Sequence, residues 1–152
     1  MATRTVEVVA VAASAPQVVW DLLVDVESWS EWTLYDEAHL ERPGEGHPSG
    51  VGAQRRMKTD RATNLDEVFI FEPPRRLTFY VLETNLPVRN YRSDIQLKET
   101  RSGGTEIWWR SSFDAKIFGT GWMVHRNFKL FLGDTARRLV IRADTGAAPA
   151  ED

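Results

Sequence analysis

Residues 15–32, APQVVWDLLVDVESWSEW, constrain the fold more than any other stretch of the chain. A valine-rich run ends at Ala12, and Ala15-Pro16 then opens a short helix. Proline suits a first helical turn, where its missing N–H is no loss. Ser14 and Gln17 have the spacing of a capping box. Val19, Leu22, Leu23 and Val26 repeat at helical spacing and make one face apolar. Trp20, Trp29 and Trp32 then fall within thirteen residues. Periodicity alone reads this segment as an amphipathic helix in a core.

The remaining pattern is mostly β. Val6 to Ala12 reads as a first strand, followed by helical residues 16–24 and 28–33. Leu40 to Gly52 holds four glycines and two prolines and reads as a long turn-rich loop. Strand candidates follow at Ala53–Asp60, Leu65–Phe71, Leu77–Glu83, Tyr91–Lys98 and Thr105–Ala115. Alternation is clearest in the last two. Tyr91, Ser93, Ile95 and Leu97 share one face of the first, and Ile107, Trp109, Ser111 and Phe113 one face of the second; these faces are expected inside. Gly119 and Gly121 lead into a long helix over about residues 121–142. His125, Phe128, Leu132, Thr135 and Leu139 form its inner stripe, widened by Phe131 and Ala136. Gly133 interrupts it, which would permit a bend or a close approach to a ligand. One domain over 1–143 is expected, with a flexible Gly/Ala/Pro/acidic tail over 144–152.

Two further anchors join residues 15–32. Gly103 to Lys116 reads GGTEIWWRSSFDAK, a hairpin turn followed by a strand that carries Trp109 and Phe113-Asp114. Glu72-Pro73-Pro74-Arg75-Arg76 forms a turn between two central strands. In this order and spacing the chain resembles the polyketide cyclase/dehydrase (aromatase/cyclase-like) branch of the START-like, SRPBCC or helix-grip superfamily, over about residues 5–142. The resemblance implies an α+β helix-grip fold. In that fold a curved antiparallel sheet of six or seven strands wraps around a long C-terminal helix, with two short helices between strands one and two. It also implies an internal ligand cavity.

Composition narrows the function classes. The 152 residues suffice for one domain with one substantial core. A net charge of −3 with interspersed signs argues against non-specific nucleic-acid binding. Without cysteine, disulfides and thiolate chemistry are excluded. No apolar run approaches the ~18–20 residues of a membrane span. With no signal-peptide pattern at the start, a cytoplasmic location is the default expectation. Six Trp, three Tyr and seven Phe are a heavy aromatic load that suits a cavity with flat apolar walls.

Specific chemistry is sparse. His39, His47 and His125 lack metal-ligand spacing, so no metal is expected, and nothing points to a cofactor. There is no Gly-x-Ser-x-Gly elbow and no phosphate loop. Acid–base work in an apolar pocket remains. The resemblance implies a Tyr after the second helix, which Tyr35 matches, and a Ser/Arg pair on a central strand. That strand here reads Val68-Phe69-Ile70-Phe71, and the pair is missing. Arg55, in phase with Met57, is a substitute if it reaches inward; an exposed edge arginine is the plainer reading. Of Asp66 and Glu67 one must point inward in a regular strand, and a solvated carboxylate is the bland alternative. His125 is either a rim histidine donating to a backbone carbonyl or a proton shuttle.

The candidate catalytic residues are therefore Tyr35, Arg55 and His125. The candidate cavity wall comprises Tyr35, Tyr91, Trp109, Phe113, Trp122, Phe128 and Leu132, with Phe79 and Ile95 deeper. Three functions compete. The first is binding of a small hydrophobic, ring-containing metabolite or lipid; the second is polyketide aromatase/cyclase activity. The third is a co-chaperone-like interaction module, which an exposed apolar face on the long helix or a sheet without a cavity would favour. The sequence leaves the ligand and the oligomeric state open.

Overall fold

The computed structural model describes residues 3–147. Among them, seven strands and three α-helices follow in the order β1 (Thr3–Ala12), α1 (Pro16–Val24), α2 (Trp29–Trp32), β2 (Glu37–Arg42), β3 (Gln54–Lys58), β4 (Thr63–Glu72), β5 (Arg76–Thr84), β6 (Val88–Glu99), β7 (Thr105–Ala115) and α3 (Gly121–Thr145). A 3-10 turn over Val26–Ser28 joins α1 to α2. The strands form one antiparallel sheet in the order β1-β7-β6-β5-β4-β3-β2. The first strand thus crosses over to pair with the last, and α1 and α2 make the crossover to the far edge. Helix α3 packs chiefly on β1 and β7 and also meets α1 and α2. This is the α+β helix-grip arrangement expected above.

Alternation explains which faces are inside. In β7, Thr105, Ile107, Trp109, Ser111, Phe113 and Ala115 are buried, while Glu106 and Arg110 are exposed. In β6, Ser93, Ile95 and Leu97 are buried. Strand β4 breaks the rule. Its register with β5 shifts between Leu65 and Asp66, and both residues are buried. On its other side β4 pairs with β3 in unbroken register, so Asp66 lies opposite Arg55 and Leu65 opposite Arg56.

The Gly-Gly-Thr turn has a steric reason. Gly103 takes a positive φ of 86°, and a Cβ on Gly104 would collide with the Ala12 carbonyl where the turn meets β1.

Four local expectations change. Ala15, not Ser14, caps α1, and without a side-chain bond. The Ser14 hydroxyl instead donates to Asp144 at 2.7 Å, and Gln17 Nε2 donates to Asp21 at 2.8 Å. The long helix runs on to Thr145, since Asp144 accepts from the backbone N–H groups of Ala13 and Ser14 at 3.0 and 2.9 Å. The expected tail therefore begins later than residue 144, and its residues 148–152 lie outside the described residues. The loop expected from Leu40 gives up its first residues to β2. Finally, a Cβ on Gly133 would meet nothing within 4 Å, so that glycine makes no close approach.

Candidate functional site

A cavity of about 310 Å³ lies between the sheet and α3. Trp29 and Tyr35 close it at one end. Residues from β3 through β7 form the floor, and Phe128, Phe131, Leu132 and Thr135 of α3 form the roof. The walls are mainly apolar, as aromatic and aliphatic side chains dominate the lining.

Local structure fixes Tyr35. It lies between α2 and β2, where the Thr33 hydroxyl accepts from the Tyr35 N–H at 3.1 Å. The next residue, Asp36, donates its N–H to the Lys58 carbonyl at 2.9 Å and ties the segment to β3. The ring then stacks on Trp29, with centroids 6.4 Å apart, and meets Phe131 edge-on at 5.6 Å. Burial pushes the phenol well above its usual range. The neighbouring Tyr91 and Asp66 add to the rise, while Arg55 and a hydrogen bond with Asn64 oppose it. Tyr35 is therefore a neutral hydroxyl able to donate to a ligand oxygen.

Beside it sits a buried ion pair. Arg55 on β3 and Asp66 on β4 are direct cross-strand partners. Nε of Arg55 donates to Oδ1 at 2.7 Å and Nη2 to Oδ2 at 3.2 Å. Both residues are 1% exposed. The guanidinium is held between the rings of Trp29 and Phe79, at 5.0 and 4.4 Å from their centroids. Asp66 reaches the cavity wall, whereas Arg55 stands behind it. Burial pushes the Asp66 carboxyl up, opposed by the charge and hydrogen bonds of Arg55. The two-point geometry and the flanking rings supply the compensation that a desolvated pair needs.

A second polar group lies on the floor. Ser93 and Ser111 share a hydrogen bond of 2.7 Å, and the Tyr91 hydroxyl donates to Ser111 at 3.4 Å. Burial raises the Tyr91 phenol as well.

The sequence candidates separate into three groups. Tyr35, Phe79, Tyr91, Trp109, Phe128 and Leu132 all line the cavity. Ile95 and Phe113 are fully buried but sit in the packed core; the Phe113 ring backs Phe128 at 4.8 Å. Trp122 and His125 lie elsewhere. Trp122 is 63% exposed on the outer side of α3, because the inward stripe runs through Val124, Leu132, Thr135 and Leu139. His125 Nε2 lies 3.0 Å from the Thr5 carbonyl on β1, which only accepts, so this nitrogen donates and the ring is committed to a backbone contact. Arg55 is buried, not an exposed edge residue, and Asp66 is not solvated.

Among the wall residues that sequence reasoning did not select are Asp66 and Asn64, beside Trp29, Ser93, Phe131 and Thr135. The signal was present. A hairpin centred on Asp60-Arg61 sets Arg55 opposite Asp66 and Met57 opposite Asn64. Among the described residues no group of three His, Asp or Glu side chains is placed to hold a metal ion.

Two measurements follow from these environments. The Tyr35, Tyr80 and Tyr91 phenols are all raised, the first and last by burial and Tyr80 by its bond to Glu67. An unfolded chain releases these protons near pH ~10 while the native chain still holds them, so stability falls as pH rises through that value. Denaturant midpoints between pH 8 and ~11 are expected to drop, with tyrosinate absorbance appearing only on unfolding. Separately, Asp66→Leu and Arg55→Met each strand a buried charge and are expected to cost about 3–5 kcal/mol in urea unfolding. The double variant should recover most of that loss.

Residues 3–140 match the sequence profile of a family described as polyketide cyclase / dehydrase and lipid transport. No curated protein matches. Among solved structures, a START superfamily protein from Mycobacterium smegmatis is similar at 14% identity and a TM-score of 0.79, over 91% of this chain and 96% of that one. XoxI from Bacillus cereus is similar at 23% identity and 0.71, over 92% and 94%. A putative uncharacterised protein from Bacillus thuringiensis is similar at 21% identity and 0.71, over 91% and 96%. At these identities the structures support the fold alone. The profile match extends from the first described strand almost to the end of α3, and the chain belongs to the polyketide cyclase / dehydrase and lipid transport family, on a START-like fold.

Proposed function

We propose that this protein binds a small, neutral, hydrophobic and ring-containing molecule in the cavity beneath α3. The observation that carries this reading is the asymmetry of the cavity. Its roof and floor offer chiefly Phe79, Trp109, Phe128 and Leu132, with the Tyr91, Ser93 and Thr135 hydroxyls bonded within the protein, whereas one end offers the Tyr35 hydroxyl, Asn64 and the Asp66 carboxylate. A flat apolar body fits the first surface. A single ligand oxygen meets Tyr35, which donates and does not ionise in the ordinary pH range. A carboxylate ligand is disfavoured at that end, because the Asp66 oxygens face the cavity and Arg55, behind them, is already engaged by that pair. About 310 Å³ lies at the small end of ligand pockets, which supports a molecule of a few fused rings rather than a long acyl chain.

A second reading, polyketide cyclisation, gains from the Arg55–Asp66 pair. The Ser/Arg pair expected from the resemblance is missing from Val68–Phe71, but Arg55 brings a positive charge to the same end as Tyr35. Asp66 would be the base for a carbon-bound proton and Tyr35 the donor to the carbonyl. Burial raises the Asp66 carboxyl, yet both its oxygens already accept from Arg55, so proton abstraction would have to loosen that pair. Binding is therefore placed first.

The test uses the neutral dye N-phenyl-1-naphthylamine. Its fluorescence is expected to rise saturably with one site per chain. Phe128→Trp, which fills the cavity, should weaken binding by about tenfold, as one over-filled contact does in a packed site. Absence of saturable binding would remove the basis for a ligand-binding function. Turnover of a poly-β-ketone substrate, lost in Tyr35→Phe, would put cyclisation first.

A further inference from the structure

The outer side of α3 and the loop before it carry apolar groups that the core does not use. Phe118 is 91% exposed, Leu130 64%, Trp122 63% and Ile117 58%. Met123 is 45% exposed. At 100° per residue, Trp122, Met123, Arg126, Lys129 and Leu130 fall within an arc of about 120°, opposite the buried stripe. Phe118 and Ile117 extend this face from the β7–α3 loop.

Charge on the first three turns of this face is of one sign, and the Asp134 that follows Gly133 is held by Arg137 and Arg138. Lys116, Arg126 and Lys129 are exposed, and no acidic residue occurs from Lys116 to Gly133. Arg4 of β1 adds a fourth cation, since its guanidinium lies against Gly121 at the start of α3. Among the described residues none of these four forms an ion pair. The whole chain, by contrast, has a net charge of −3. Protein interfaces are depleted in lysine at their centres. Exposed Trp, Phe and Leu interleaved with Lys and Arg on one helix face instead match an anionic lipid surface.

We infer that the β7–α3 loop and the outer face of α3 form a docking surface for membranes bearing anionic lipid. Phe118 and Trp122 enter the headgroup region, and Arg4, Lys116, Arg126 and Lys129 meet the lipid charge. No helix among the described residues is long and apolar enough to cross a membrane, so the contact is interfacial. Asn127 and Phe131 line the cavity from the flank of the same helix, next to Met123 and Leu130. Docking in this pose brings the α3 side of the cavity to the bilayer. The inference goes beyond ligand binding and does not depend on it.

Vesicle sedimentation tests it. The full chain is mixed with vesicles of phosphatidylcholine alone or with ~30% phosphatidylserine. Binding to the serine-containing vesicles is expected to be at least about tenfold tighter and to weaken as salt is raised. Phe118→Ser with Trp122→Ser should lower binding to both vesicle types by about tenfold or more. Arg126→Glu with Lys129→Glu should abolish only the preference for serine lipid. All four positions are exposed, and unchanged dye binding in the cavity confirms that the variants fold. Failure to bind either vesicle, or binding indifferent to both double variants, overturns the inference. So does a dimer in sedimentation velocity that Phe118→Ser with Trp122→Ser dissolves, because the occupant is then a second copy of the chain. Each of these results leaves the cavity reading standing, which the dye decides.

Discussion

The Arg55–Asp66 ion pair organises this molecule. It joins β3 to β4 at the buried end of the sheet and fills the gap between Trp29 and Phe79 with a flat cation. Trp29 contacts Trp32, Tyr35 and Trp109 in turn. A single guanidinium thus connects the α1–α2 crossover, the central strands and the residue that faces the ligand space. An aliphatic residue at position 55 would pack there, but it would leave Asp66 uncompensated at the cavity wall. A desolvated pair of this kind is a poor source of net stability. Its value lies in placing one carboxylate and one neutral phenol side by side.

The cavity follows from geometry. One helix covers a seven-stranded sheet, yet α3 packs chiefly on β1 and β7. Strands β3 to β5 therefore lie partly beyond its reach, and α2 with Tyr35 closes that side from the crossover. The aromatic surplus noted in the sequence goes to two places. Trp29, Trp109, Phe79, Phe128 and Phe131 wall the cavity, whereas Phe118 and Trp122 stand outside. The apolar helix face that would have favoured an interaction module thus coexists with a cavity, and its cations direct it toward lipid.

Much of the architecture was legible because it rests on local rules. Alternation identified the inner faces of β6 and β7, and Pro16 marked the start of α1. The cavity end was harder to read. Asp66 depends on the register of the β3–β4 hairpin, which sets it opposite Arg55, and periodicity within one strand does not give that register. Arg55 looked like an edge arginine because burial of a charge is decided by its partner across a hairpin, not by its own neighbours. His125 takes the first of its two readings, a bond to the Thr5 carbonyl, and Trp122 was misplaced for a third reason. Its aromatic character suggested the cavity, whereas helical geometry turns position 122 away from the stripe of Val124, Leu132, Thr135 and Leu139.

Calorimetric titration with a matched pair of planar probes decides most directly whether the cavity holds a neutral ring whose oxygen meets Tyr35. Fluorene has no hydrogen-bond acceptor, and 9-fluorenone adds one carbonyl to nearly the same shape. Both should bind with a negative heat-capacity change, and fluorenone about fivefold tighter through one net hydrogen bond. Tyr35→Phe should erase that difference and leave fluorene unaffected. Equal affinities in the wild-type chain, or a preference for fluorenone that survives in Tyr35→Phe, would contradict the assignment of Tyr35 as the ligand's donor, and absence of binding by both probes would contradict the cavity itself.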